Sequence, residues 1–201
     1  MSHYSIIHDV TLELRRQIFA GLQATPDVDF QINNMNQDIV LDPPPDAATG
    51  SPMLSIFLYH IEPDQHLRNQ PYLTPSPESL RYPPFPLQLH YLITPLDSEQ
   101  EQNQLLLGRI IQLFHDNPLL TSINGVPLDN SFGGSSAEIR IMMETLSLEE
   151  LSRIWYALNS VYQLSITYIV RVVTIDSLRP ESAAHRITEL QAVVGSKGKT
   201  G

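Results

Sequence analysis

Seven of the chain's 16 prolines fall between residues 62 and 86. Proline fixes φ and removes a backbone donor, so this stretch is expected to hold no regular structure. The segments on either side read differently. Met53–Ile61 alternates as a strand, with Leu54, Ile56 and Leu58 on one face and Met53, Phe57 and Tyr59 on the other. Both faces are largely apolar, which predicts a central strand. Leu87–Thr94 is the next strand. Loops as long as 62–86, and as the Gly-containing 117–136, are uncommon in compact domains and are often functional.

The remaining elements follow from periodicity and capping. Ile7, Val10, Leu14, Ile18 and Leu22 recur at helical spacing over 4–23, closed by Gly21 and Pro26. Val28–Ile32 reads as a short strand, and 33–52 as a polar, Pro-rich loop. Ser98 and Glu101 fit a capping box opening a helix with a stripe of Leu105, Leu106, Ile110, Leu113 and Phe114, ended by Pro118. Glu138–Met143 is a strand. Ser147 and Glu150 form a second capping box for a short helix, Leu148–Leu158. In Tyr162–Ile175, Leu164, Ile166, Tyr168, Val170 and Val172 alternate with Ser165, Thr167 and Arg171 as a long strand. Residues 181–194 suggest a weak helix and 195–201 a disordered tail. No regular βαβ repetition appears, which predicts one α+β domain with a mixed β-sheet flanked by α-helices. The domain is expected over 1–176, with 177–201 a partly disordered extension.

A 201-residue chain with 42% hydrophobic residues suits a single core. Its net charge of -10 disfavours nucleic acid and anionic membranes as partners. Cysteine is absent, which excludes disulfides and thiolate metal sites. The N-terminal stretch carries Asp9 and Glu13 where a signal peptide needs an unbroken apolar run, so synthesis in the cytoplasm without a signal peptide is expected. No window approaches the roughly 18 apolar residues of a membrane span.

The motifs that suggest chemistry fail on spacing. Gly198-Lys199-Thr200 resembles the end of a phosphate-binding loop, but Val193 stands where that loop needs its first glycine. His60, His66, His90 and His115 lie on different elements, with no H-x-x-x-H spacing to bring two rings to one helix face. Gly133-Gly134-Ser135-Ser136 lacks a nucleophile elbow. The acidic pair Glu149-Glu150 is explained by helix N-terminal charge. No catalytic residue, metal or cofactor is expected.

Four stretches together carry a resemblance. They are LSIFLYHIEPDQHLRN at Leu54–Asn69, PLQLHYLIT at Pro86–Thr94, EQNQLLLGRIIQLFHDNPLL at Glu101–Leu120, and LSLEELSRIWYALNSVYQLSITYIV within Ile139–Ile175. Their order and spacing over about residues 4–176 resemble the cap, or tail-terminator, proteins of extracellular contractile injection systems. The resemblance implies a phage tail-terminator-like fold, a homo-oligomer closing as a hexameric ring, and partners in the inner tube and sheath of the same particle. It implies a non-enzymatic structural role at the particle's end. Another ring component, such as a baseplate or tube initiator, and an unrecognised soluble enzyme are the alternatives. The Pro-rich 62–86 loop and the extension after Asp176 depart from the family pattern.

Interface contacts are expected in 63–85, 117–136 and 176–194. Leu67, Arg68 and Asn69 match the family's loop motif. Arg68 serves either there or in an internal salt bridge, and Asn69 either there or in a turn. Tyr72, Arg171 and Arg179 are further candidates. Of Trp155 and Tyr156, neighbours on the short helix, one is expected in the core and the other facing a partner, since exposed aromatics anchor interfaces.

Overall fold

The computed structural model describes residues 3–26, 28–49, 51–65, 67, 73–76, 79–120, 122–123, 125–128, 139–175, 177 and 182–183. The elements in chain order are α1 (Ile6–Gln23), α2 (Met35–Asp38), β1 (Ile39–Val40), β2 (Leu54–Pro63), β3 (Leu73–Ser76), β4 (Ser79–Arg81), β5 (Phe85–Pro95) and α3 (Gln100–Asp116). They continue with β6 (Leu119–Leu120), β7 (Ser122–Ile123), β8 (Val126–Pro127), β9 (Ile139–Glu144), α4 (Leu148–Ala157), β10 (Ile166–Ile175) and β11 (Ser182–Ala183).

The main sheet runs β1-β2-β5-β10-β9-β6. It is mixed: β1 lies parallel to β2, and the other neighbours are antiparallel. The α+β class expected from the sequence therefore holds. The centre is β5 with β10, not β2, because β1 covers β2 only at Leu54 and Ser55. Every residue of β5 after Phe85 is buried. A strand buried on both faces needs a layer on each side.

The first face packs under α1 and α3. Val10, Leu14, Ile18 and Leu22 form the inward stripe of α1, and Leu106, Leu107, Ile110 and Phe114 that of α3. They meet Leu54 and Ile56 of β2, Leu89, Tyr91 and Ile93 of β5, Ile141 of β9, and Tyr168 and Val170 of β10. Each such side chain contributes roughly 1.5–3 kcal/mol by leaving water. Thr11 Oγ1 and Tyr91 Oη share a buried hydrogen bond of 2.8 Å, which keys α1 to the central strand. Arg109 of α3 donates to Thr25 Oγ1 at 2.9 Å and ties the two helices together.

Several local expectations are corrected. The α3 stripe includes Leu107, while Leu105 is exposed. Ser98 and Glu101 form no capping box; Asp97 Oδ1 accepts the Glu99 N–H at 2.8 Å and the helix begins at Gln100. Val28–Ile32 is no strand: Gln31 has φ 54, and the Ile32 carbonyl accepts from the Gln23 side chain. Phe30 and Ile32 are nevertheless buried, so the apolar alternation marked burial rather than pairing. Loop 33–52 contains α2 and β1, and 117–136 contains β6, β7 and β8.

The proline-rich stretch also holds regular structure. β3 and β4 pair with β11 in a three-stranded sheet, order β11-β4-β3. Pro75 lies on β3, the outer strand, where a missing donor breaks fewer ladder bonds. β11 also replaces helix at the start of the 181–194 segment; 184–194 and the expected tail 195–201 lie outside the described residues. β10 starts at Ile166 rather than Tyr162 because its partners end there, with Ile166 opposite Ile93 and Thr167 opposite Glu144. Its register shifts between Val170 and Val173, which brings Val173 into the core where simple alternation placed Val172.

Candidate docking surface

The second face of the sheet is built by alternation and one register shift. Gln88, His90, Leu92 and Thr94 of β5 point away from α1 and α3, and all four are buried. On β2 the pairing passes from Leu58 opposite Tyr91 to His60 opposite His90, leaving Tyr59 as the extra residue. That bulge turns both Tyr59 and His60 toward His90, with ring centroids 5.9 and 5.2 Å away. Tyr59 Oη donates to Glu144 Oε2 at 2.8 Å. His90 Nδ1 lies 3.1 Å from Glu144 Oε1, and its Nε2 lies 3.4 Å from Glu62 Oε1. Burial, followed by the bond to Glu144, pushes the Tyr59 phenol pKa up, so it stays a donor across ordinary pH. Burial likewise pushes the Tyr168 phenol on the opposite face up to about 12. Among the described residues no three His, Asp or Glu side chains are arranged to hold a metal ion. The cluster is a hydrogen-bonded strut across β2, β5 and β9.

Beyond the strut, α4 buries Trp155 fully and Leu151 and Ile154 in part. Ser147 opens it with a complete capping box: its N–H donates to Glu150 Oε2 at 2.8 Å, and its Oγ accepts the Glu150 N–H at 3.3 Å. Glu149 and Arg153 pair at 2.7 Å on the outer surface. Trp155, 1% exposed, is the buried residue of this helix. Its Nε1 donates to Ser165 Oγ at 3.4 Å, and its ring meets Tyr162 edge-on with centroids 6.4 Å apart. The adjacent Tyr156 is 86% exposed. Leu148, Val161, Tyr162 and Leu164 are also exposed, as are Met142 and Met143 of β9. Large apolar side chains clustered on one helix and the loop after it are the signature of a protein-binding surface.

The Ser147 N–H and hydroxyl hold the Glu150 carboxyl below its usual range. A depressed folded-state value means that the stabilisation is present above the unfolded value of about 4.3 and is lost as pH falls through the folded one. Acidification through and below the unfolded value of about 4.3 is expected to loosen the first turn of α4. The emission of Trp155, the chain's single tryptophan, reports it. Glu150→Gln should erase that component of the titration, and an unchanged profile in the variant would show that the box does not govern the helix.

The expected contact residues separate into three groups. Trp155 is internal and Tyr156 external, the division anticipated for that pair. Arg171 faces the second side of the sheet and its Nη2 lies 3.2 Å from the buried carboxylate of Asp64. Leu67 is half-buried in a turn, its N–H donating to the Asp64 carbonyl at 3.2 Å. Arg68, Asn69, Tyr72 and Arg179 lie outside the described residues. Exposed Leu164, Met142 and Met143 were missed because they sit in runs that read as strand, and Val161 because it lies just outside one. Their exposure follows from where the neighbouring strands stop.

The mixed sheet is thus clad by α1 and α3 on one side, and the amphipathic α4 with the loop after it exposes large apolar side chains. The chain belongs to the Pvc16 N-terminal domain family, which matches residues 9–189. A solved PVC sheath/tube terminator of an extracellular contractile injection system, in the extended state, is similar in fold. It shares 21% identity at a TM-score of 0.58, over 94% of this chain and 65% of that one. The tube-terminating cap of the anti-feeding prophage is also similar, at 21% identity and a TM-score of 0.55, over 79% of this chain and 55% of that one. The present chain thus spans less than two thirds of either protein. No curated protein sequence matches. The family resemblance and the fold drawn from the four motif stretches are borne out.

Proposed function

We propose that this protein is a structural cap, or tail terminator, of a contractile injection system, closing as a six-membered ring on the end of the inner tube and sheath. The observation that carries this reading is the family match over residues 9–189, supported by the fold shared with two terminators. A tube grows by stacking rings that present the same axial face to the next. A terminal ring matches the tube on one face and offers no site on the other. Around the ring, neighbours join head to tail, and the rotation closes. Each contact needs on the order of 1,000 Å² to be stable.

The exposed side chains of α4 and 161–164 suit one of these contacts. Leu67, Arg68, Asn69, Tyr72, Arg171 and Arg179 belong to the second set of contact candidates, with Arg171 acting through its hold on Asp64. Residues 1–176 form the cap-like domain and 177–201 the extension. An acidic surface favours basic partner faces and salt-sensitive docking. Among the described residues no helix is long and apolar enough to cross a membrane.

Electron microscopy of particles made with and without the gene tests the reading. Loss of the protein is expected to give tubes of irregular length or unsealed sheaths. Labelled protein should lie at the end distal to the spike, with six copies resolved. Density at the spiked end would make it a baseplate component, and density along the shaft would reject the cap.

A further inference from the structure

A groove of about 940 Å³ opens at the end of the sheet where β2 begins and β5 finishes. Met53, Leu96, Tyr162 and Leu164 give it apolar walls, and Asp97 and Asn103 a polar side. Asn103 is 5% exposed. Its Nδ2 donates to the Asp97 carbonyl at 2.9 Å, while its Oδ1 has no hydrogen-bond partner among the described residues. Among the described residues no lysine or arginine lines the groove, and Asp97 adds a carboxylate. The Asp97 carboxylate beside apolar side chains suits a cationic occupant with apolar neighbours.

The chain itself contains such a segment. Its lysines are Lys197 and Lys199, and within 184–201 they join Arg186 against the single acid Glu189, so the acidic excess lies in the rest of the chain. Leu190, Val193 and Val194 precede the lysines. The last described residues before it lie at the opposite end of the domain from the groove. β11, Ser182–Ala183, pairs with β4, which leads into β5 at Phe85, whereas the groove lies beyond Pro95. β5 alone separates the two ends by about 35 Å, and residues 184–201 reach at most about 60 Å. A donor segment at one end and a receiving site at the other is the arrangement that a head-to-tail contact requires.

We propose that the groove receives the lysine-bearing segment 190–201 of a second copy, with an ammonium group at the Asp97 carboxylate. The proposal rests on the ring reading and names the contact between ring neighbours. Because the chain has no cysteine, single introduced cysteines report it cleanly. Gln163 is exposed on the groove rim, and Ser196 adjoins Lys197. Chains carrying Gln163→Cys or Ser196→Cys are co-expressed in particle-forming cells, oxidised and resolved by non-reducing electrophoresis with mass spectrometry. The mixed disulfide should dominate over either like pair. Adding Lys197→Ala and Lys199→Ala to the Ser196→Cys chain should lower its yield about tenfold, the loss expected with a charge-assisted hydrogen bond. Capped particles with ordered rings but no mixed disulfide would overturn the groove contact and leave the ring reading standing. A disulfide formed only within chains bearing both cysteines overturns the second copy as occupant. Absence of the protein from particle ends overturns both.

Discussion

Trp155→Ala should lower the free energy of unfolding by about 3–5 kcal/mol, the range for deleting a buried indole. For a chain of this size that is a fall in Tm of roughly 10 °C. Trp155 is 1% exposed and is the side chain that α4 buries. Its removal leaves a cavity between α4 and the sheet, frees the Ser165 hydroxyl, and strips the edge-on contact with Tyr162. What remains is the half-buried Leu151, Ile154 and Leu158, while the capping box and the Glu149–Arg153 pair act within the helix itself. Trp155→Phe keeps most of the apolar contact and should cost less than half as much. Hydrogen exchange would show where the loss falls, since amides of α4 should open well before those of β5 and β10. A change below about 1 kcal/mol in the alanine variant would mean that α4 is held by something other than its indole.

Tyr156→Asp is expected to do the reverse. The side chain is 86% exposed, so the monomer's stability should move by no more than about 0.5 kcal/mol. On a ring or tube contact, an aromatic anchor of this kind is worth about 2 kcal/mol or more, equivalent to roughly thirtyfold in affinity. Replacing it with a carboxylate removes the apolar contact and adds a charge that must be desolvated on docking. Particles should then carry the variant at a small fraction of the normal level, measured by quantifying it in purified particles against sheath protein. Full incorporation of Tyr156→Asp would remove α4 from the interface. Adjacent residues with opposite outcomes, one unfolding and one undocking, separate the structural role of the helix from its binding role.

Much of this was legible before any coordinates. The Val10, Leu14, Ile18 and Leu22 stripe, the Ser147–Glu150 box and the strand over Leu87–Thr94 each depend on neighbours a few residues away, and all three appear in the fold. Ser98–Glu101 shows the limit of such reasoning. The same spacing that capped α4 did not cap α3, because Asp97 offers its carboxylate to the Glu99 N–H first. The Pro-rich stretch misled for a related reason, since proline forbids a donor and not a strand, and only pairing order decides which donors are needed.

Chain-local chemistry determined the helices, the main strands, the α+β class, the single indole's helix and the family to which the chain belongs. Only the tertiary structure decided which strands were central, where β2 and β10 slip in register, and which residues face outward at the strand ends. Those slips put Tyr59 and His60 together against His90 and brought Val173 into the core. The groove beside Asn103 arises from the meeting of a loop after β1, the end of β5 and the turn after α4, three places far apart in the chain. Side-chain periodicity is a property of consecutive residues. Register, edges and grooves are set by which distant segments pair, and that is resolved only when the whole core closes.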